Sequence, residues 1–512
     1  MAIIHRIIGI AGWCLLIGSG AFAQKTYYVA PSGNDQNNGS RIHPWQTIRR
    51  VNALRPLAGD SVLFEGGRTF NGTLLIQGAM GTDGRPIVIG SYESGHAPQG
   101  AGDAGAGDES DGAGSAAARD ATIDGGDSSA VILYKAGYLT ITGLHLTGAG
   151  RKTGNLKEGL SLIGCRHITA RGLDITGFQK AGLMIYASTE VTVSHVFAHE
   201  NGSAGIAVEG DFSGKKTSRN IRILDCRAED NPGDPTNLTN HSGNGIVVGH
   251  CTSLLIDRCT ATNNGWDMPR IGNGPVGIWC YEADSVLIQH CLAYRNKTSP
   301  GAADGGGFDL DGGVTNSVIQ YCFSYGNQGS GYCIFQYWGA SPWYHNIIRY
   351  NISENDGTVS DSQAGLYIWN SSDDEKQFYD CQVYGNIVYN AKVAAISFSE
   401  KSEHRGFRFN HNIFVGKDSL IKGKDKIGDC VFQHNDWWSI DRGSEIAVFG
   451  DGLKIDPNFK SPGNASFTTA TQLSAFTGYD LPLNSPLRHQ PVFTDIHGIR
   501  TLQKGIHRLN QE

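Results

Sequence analysis

The chain has 512 residues, of which 69 are glycine and 18% are charged, with a net charge of -7 and a pI near 6.2. No basic block offsets the acidic excess, which argues against a general binder of nucleic acid or other polyanions. The glycine content favours tight turns and short strands, and the length suits either several globular domains or one solenoid whose repeats pack only on their neighbours.

Residues 1–23 read as a secretory signal. His5 and Arg6 supply a short polar start, residues 7–17 are mostly apolar, and Ala21-Phe22-Ala23 gives a small-x-small cleavage site before Gln24. That apolar run is too short for a membrane span, and no other segment is long and apolar enough. The expectation is an exported protein, periplasmic or secreted, and a monomer. Residues 26–29 form a strand, followed by a turn-rich loop over 30–39. Residues 45–54 can form a short helix with Ile48, Val51 and Leu54 on one face, and 59–64 and 72–76 are strands. A helix here predicts an N-terminal cap, because the end of a solenoid needs cover. Residues 99–118 are rich in Gly, Ala, Asp and Ser and predict a flexible surface insertion. The implied division is an N-terminal cap with first coils over 24–120, a repetitive body over 121–430 and a covering tail over 431–512.

In the body, a glycine followed by an apolar-x-apolar triplet recurs at Gly159, Gly182, Gly205, Gly245, Gly277, Gly307, Gly331 and Gly365, at spacings of 23, 23, 40, 32, 30, 24 and 34. A bare repeat of about two dozen residues with a second strand in each is a parallel β-helix spacing; the leucine-rich repeat frame is missing. The second strand carries its own signature. Cys226, Cys259, Cys291 and Cys322 recur ahead of Asn231, Asn263, Asn296 and Asn327, and Asn351 stands where the next cysteine would fall. Stacked coils place equivalent residues about 4.8 Å apart. The pattern therefore predicts a buried thiol ladder and an asparagine ladder bonding turn backbone. Export permits disulfides among the ten cysteines beyond Cys14, but no Cys-x-x-Cys pair suggests a metal site.

These repeats, together with the opening Tyr27-Tyr28-Val29-Ala30-Pro31-Ser32-Gly33-Asn34-Asp35 and Gly59-Asp60-Ser61-Val62-Leu63-Phe64, resemble the right-handed parallel β-helix (pectin-lyase-like) superfamily of secreted carbohydrate-active enzymes. The resemblance implies an all-β solenoid with an N-terminal cap that acts on a polysaccharide along the groove of its first sheet. It does not extend to polygalacturonase activity, since Gly249-His250-Cys251 and Arg222-Ile223-Leu224 are only fragments of that family's motifs.

Aligning the first-strand glycines gives two outward rows. The first is Ser161, Met184, Ala207, Val247, Trp279, Asp309, Cys333 and Tyr367; the second is Ile163, Tyr186, Glu209, Gly249, Tyr281, Asp311, Phe335 and Trp369. A solvated face would be rich in Thr, Ser and Lys. Here Trp279, Tyr281, Phe335, Tyr367 and Trp369 surround two aspartates, as a sugar groove requires: flat rings for pyranose faces, carboxylates for hydroxyls and proton transfer. The alternative is a second core under loops or the tail. Asp309 and Asp311 stand about 6.6 Å apart along one strand, compatible with the about 6.5–9.5 Å of an inverting glycosidase. Asp304, in the loop entering that strand, is the third candidate. The same three side chains offer the hard oxygens that Ca²⁺ takes, so calcium ligation is the competing reading and the metal is left open. Glu209, about 14 Å from Asp311 at the sheet spacing, could touch a neighbouring sugar only. The long loops bring His241, Arg270 and Lys297 toward the carboxylates, with His250 at the border; a lyase would use such cations, or Ca²⁺, to neutralise a uronate. The leading expectation is a glycoside hydrolase needing no cofactor. The alternatives are a Ca²⁺-assisted polysaccharide lyase and a non-catalytic glycan-binding β-helix.

Overall fold

The computed structural model describes residues 24–93 and 120–489, apart from 153, 212, 373, 375, 418, 419 and 448, together with 493–494 and 500–501. The predicted signal segment and the 99–118 insertion lie outside the described residues.

Nearly every strand belongs to one of two parallel sheets, of 12 and 24 strands, wound as a right-handed parallel β-helix. The 12-stranded sheet carries the candidate groove. Its strands are β1 (Leu74–Gln77), β2 (Val131–Tyr134), β3 (Leu160–Ile163), β4 (Ala181–Tyr186), β5 (Ala204–Glu209), β6 (Asn244–Gly249), β7 (Val276–Tyr281), β8 (Gly306–Leu310), β9 (Tyr332–Gln336), β10 (Leu366–Asn370), β11 (Ile396–Glu400) and β12 (Ile421–Lys422). Beyond its first coils, the larger sheet runs as two ladders. One contains Cys251–Asp257 and Asp284–Gln289, the other Thr260–Thr262 and Leu292–Tyr294. Side chains pointing inward, such as Ile278, Phe308 and Leu310, are wholly buried in one continuous core.

The repeat signature has a packing cause at each corner. The residue before each ladder position adopts the left-handed conformation, as at Arg258, His290 and Tyr321 (φ 52, 51 and 54°). The next side chain then turns inward and caps the coil before it. Thus Cys226 N–H donates to Cys259 Sγ at 3.4 Å, Cys259 to Cys291 at 3.4 Å and Cys291 to Cys322 at 3.5 Å. Cys322 N–H donates to Asn351 Oδ1 at 2.9 Å, and the row continues through Asn386, Asn412 and Asn435. The ten cysteines from Cys165 to Cys430 are free thiols, and burial pushes the ladder's Cys226, Cys259 and Cys291 thiols well up.

The asparagine ladder needs one correction. It runs Asn201, Asn231, Asn264, Asn296, Asn327 and ends on Asp356. Asn263 is the corner residue (φ 52°) and donates instead to Asp230. Asparagine tolerates the left-handed corner as well as the ladder, so the Asn-Asn pair allowed a register one residue off. The ladder also explains the recurring glycines. A Cβ on Gly277 would lie 2.7 Å from Asn296 Nδ2, and one on Gly182 2.7 Å from Asn201 Nδ2.

At the N-terminal end a helix, α1 (Ile48–Asn52), starts at Thr47, whose side chain accepts from Arg50 N–H; it buries Ile48 and Val51. It is shorter than the span expected, with Leu54 left partly buried against the core. The C-terminal tail covers more than the final coils. Phe459, Leu473, Tyr479, Leu481 and Leu487 pack on Leu292, Phe323, Tyr325, Ile352, Ile387 and Val415, and Ala470 N–H reaches Thr260 Oγ1 at 3.0 Å. Buried Glu354 anchors it by accepting from the N–H groups of Gly463 and Ala465 and from the Tyr479 hydroxyl. This apolar strip lies on the larger sheet, so the described part of the tail packs there and not on the groove sheet.

Candidate active-site cleft

The outward rows align as the spacing predicts: Val247, Trp279, Asp309, Cys333 and Tyr367 are successive partners, as are Gly249 and Tyr281, and Phe335 and Trp369. Over β7–β10 they border a cleft of about 600 Å³. Trp279, Tyr281, Asp304, Asp309, Asp311, Phe335, Tyr367, Trp369 and His241 all line it.

Three carboxyls form its floor. Asp309 alternates outward from Phe308 and Leu310 yet is only 2% exposed, and its Oδ1 has no hydrogen-bond partner. Burial, with Asp311 and Asp304 nearby, holds its pKa well above the carboxylate range. Asp311 lies just past the end of β8; its Oδ1 accepts from Gly312 N–H at 2.7 Å, and burial raises its pKa to about 7. Asp304 occupies a left-handed corner (φ 62°), and its Oδ2 accepts from Gly274 N–H at 2.8 Å; burial raises its pKa to about 6. Desolvation and mutual repulsion keep protons on this cluster near neutrality.

Aromatic walls rise on both sides. On one, Trp279 packs at 5.3 Å from Tyr281, while its Nε1–H donates to Asn244 Oδ1 at 3.0 Å. His241 meets Trp279 edge-on at 4.8 Å, and its Nδ1 lies 3.1 Å from Asn244 Nδ2. Burial and Arg270 lower the His241 pKa to about 4, so the ring is neutral. On the other wall, Phe335 meets Tyr367 at 5.2 Å and Trp369 at 5.7 Å. Tyr337 extends the same alternation two residues past Phe335; continuing the outward row beyond the strand would have found it. A Cβ on Gly249 would lie 2.4 Å from the Tyr281 ring, and one on Gly312 2.4 Å from the Tyr337 ring, so both rings lie over bare backbone.

Three expected contacts lie elsewhere. Glu209 sits behind the wall, accepting from the Tyr281 hydroxyl, with His250 Nδ1 3.0 Å from its other oxygen. Arg270 is half-buried and donates to the Asn273 carbonyl at 3.2 Å, outside the cleft lining. Lys297 borders a separate depression with Glu229, Asn263 and Arg295. The loop lengths showed that these residues were near the groove, but not which way they turned. Asn240, Asn273, Ser360, Ser362 and Gln363 also line the cleft; nothing in the repeat marks them, because they lie in loops without a period. Although the three aspartates supply hard oxygens, among the described residues no group of three or more His, Cys, Asp or Glu is arranged to hold a metal ion. No described helix is long and apolar enough to cross a membrane.

Residues 27–360 match the family model described as the Pel9A-like right-handed β-helix region. The chain belongs to this family. No curated protein matches it in sequence. Its fold is similar to that of several solved structures. A mannuronan C-5 epimerase A-module (AlgE6) from Azotobacter vinelandii is 12% identical, with a TM-score of 0.50, 78% of this chain and 92% of that one being covered. The GH136 lacto-N-biosidase from Eubacterium ramulus is 17% identical (TM-score 0.49; 81% and 68% covered). The pectate lyase Pel9A is 16% identical (TM-score 0.42; 91% of each covered). At such identities the likeness is one of fold.

Proposed function

We propose that this protein is an exported carbohydrate-active enzyme that hydrolyses a glycan in the cleft over β7–β10. The observation that carries the reading is a buried carboxyl with an unpartnered oxygen, Asp309, lining an aromatic-walled cleft beside a second carboxyl whose pKa is raised to about 7. Asp309, kept protonated, delivers its proton to the glycosidic oxygen as the bond to the anomeric carbon breaks. Asp311, ionised, takes a proton from the water whose oxygen attacks that carbon. Asp304 adds a like charge that keeps Asp309 protonated. The rings of Trp369, Tyr367 and Tyr337 offer faces for the sugar. Any Ca²⁺ would be taken by the same three aspartates and would supply charge neutralisation; two of their oxygens are already engaged by backbone N–H groups.

The test is a polysaccharide panel assayed for reducing ends and for absorbance at 235 nm, with and without EDTA, on wild type, Asp309→Asn and Asp311→Asn. New reducing ends without absorbance, insensitive to EDTA and reduced at least about a hundredfold in each variant, are expected. An EDTA-sensitive absorbance rise would make the reaction an elimination. Binding without turnover would make the protein a glycan-binding module, and turnover surviving both substitutions would refute the site.

A further inference from the structure

We infer that the sugar seated over Asp309 and Asp311 carries no carboxylate: the cleft admits neutral glycans and turns uronate polymers away. The inference rests on the glycan reading of the cleft and adds the class of sugar to it.

The floor consists of three carboxyls, one of them, Asp309, buried and the other two half-buried, and one oxygen of Asp309 has no donor of its own. Among the described residues no lysine or arginine lines the cleft. The two cations that loop lengths placed nearby do not line it: Arg270 stays behind the rim, tied to the Asn273 carbonyl, and Lys297 opens onto a different depression. His241 does line the cleft, but Asn244 and the Trp279 ring enclose it and burial keeps it neutral. A uronate would therefore add a like charge to a desolvated acidic cluster with no side-chain counter-ion to receive it, an arrangement that costs affinity steeply. What the cleft does offer is neutral: the amides of Asn240, Asn273 and Gln363, the hydroxyls of Ser360 and Ser362, and aromatic faces. Those groups suit hydroxyls and C–H faces, the recognition surface of an uncharged pyranose.

The experiment is affinity gel electrophoresis in EDTA, using Asp309→Asn as a slowed binding form. The gels contain polygalacturonate, alginate and hyaluronan on one side. On the other are carboxyl-reduced polygalacturonate, galactomannan, xyloglucan, laminarin and arabinogalactan. Retention by at least one neutral polymer and by no uronate polymer is expected. In the same background, Asp304→Asn should raise uronate affinity about tenfold, by removing a like charge. Uronate retention equal to or above that of every neutral polymer would overturn the inference while leaving the glycan site standing. So would a loss of uronate binding on Asp304→Asn. Retention by none of the eight polymers would instead defeat the glycan reading, and the inference with it.

Discussion

Replacing Asp304 by asparagine tests the burial of the acidic floor without any knowledge of the substrate. Asparagine keeps the shape, tolerates the left-handed corner at φ 62° and still accepts from Gly274 N–H. Burial raises the Asp304 pKa from 3.8 to about 6. A folded-state pKa above the unfolded one means that the native state holds its proton longer. The group's contribution to stability is therefore full below pH 3.8 and is lost as pH rises through about 6. At about 1.36 kcal/mol per unit, the loss in wild type has a ceiling of about 3 kcal/mol above pH 7. The variant escapes it, less the cost of burying the carboxamide N–H₂, which leaves a gain of about 1–2 kcal/mol. The entropy of unfolding, about 2.1 cal/mol/K per residue, turns this into only about 1–2 °C in Tm for so long a chain. Urea denaturation followed by far-UV circular dichroism at pH 4.5 and 7.5 is the better assay. Asp304→Asn should match wild type within about 0.5 kcal/mol at the lower pH and exceed it at the higher. A variant that gains nothing between the two pH values, or that loses stability at pH 7.5, would refute the desolvated carboxyl.

The same substitution should move catalysis. Asp311 acts ionised in the proposed reaction, and its pKa of about 7, raised by burial and by Asp304, places the acid limb of the pH–rate profile near 7. Removing the Asp304 charge should shift that limb toward lower pH, read from kcat/KM between pH 4 and 9; an unmoved limb would separate Asp304 from Asp311. In the asparagine ladder, Asn264→Ala strips the acceptor from Asn231 N–H and leaves buried groups unpaired, a cost of about 2–4 kcal/mol. Asn263→Ala, at the half-buried corner, should cost less than about 1.5 kcal/mol. Equal losses in urea denaturation would contradict the ladder's register.

Much of the fold was legible because a solenoid repeats its instructions. Each coil needs an inward apolar triplet, a glycine where the ladder amide approaches and a small polar cap at the corner, so the same letters return at each turn. Cys226, Cys259, Cys291 and Cys322 mark a ladder by their spacing alone. The slip from Asn264 to Asn263 occurred where two neighbouring letters satisfied two different positions of one corner. The outward rows were legible for the same reason. Alternation put Trp279, Asp309 and Tyr367 on one face, and parallel stacking aligned them.

Loops carry no such period, and their residues escaped. Gln363, Ser360 and Asn273 reach the cleft through inserted segments, while Lys297 and Arg270, in loops of the same kind, turn away from it. Local sequence thus determined the coil, its handed family, the register of the groove and the aromatic–acidic character of its floor, because these depend on side-chain alternation and on neighbours one repeat away. Tertiary structure alone decided that Asp309 is buried with an unpartnered oxygen, that Glu209 stands behind Tyr281 and that the described tail lies on the larger sheet. Desolvation and side-chain direction arise from chain segments far apart in sequence, and no spacing along one strand encodes them.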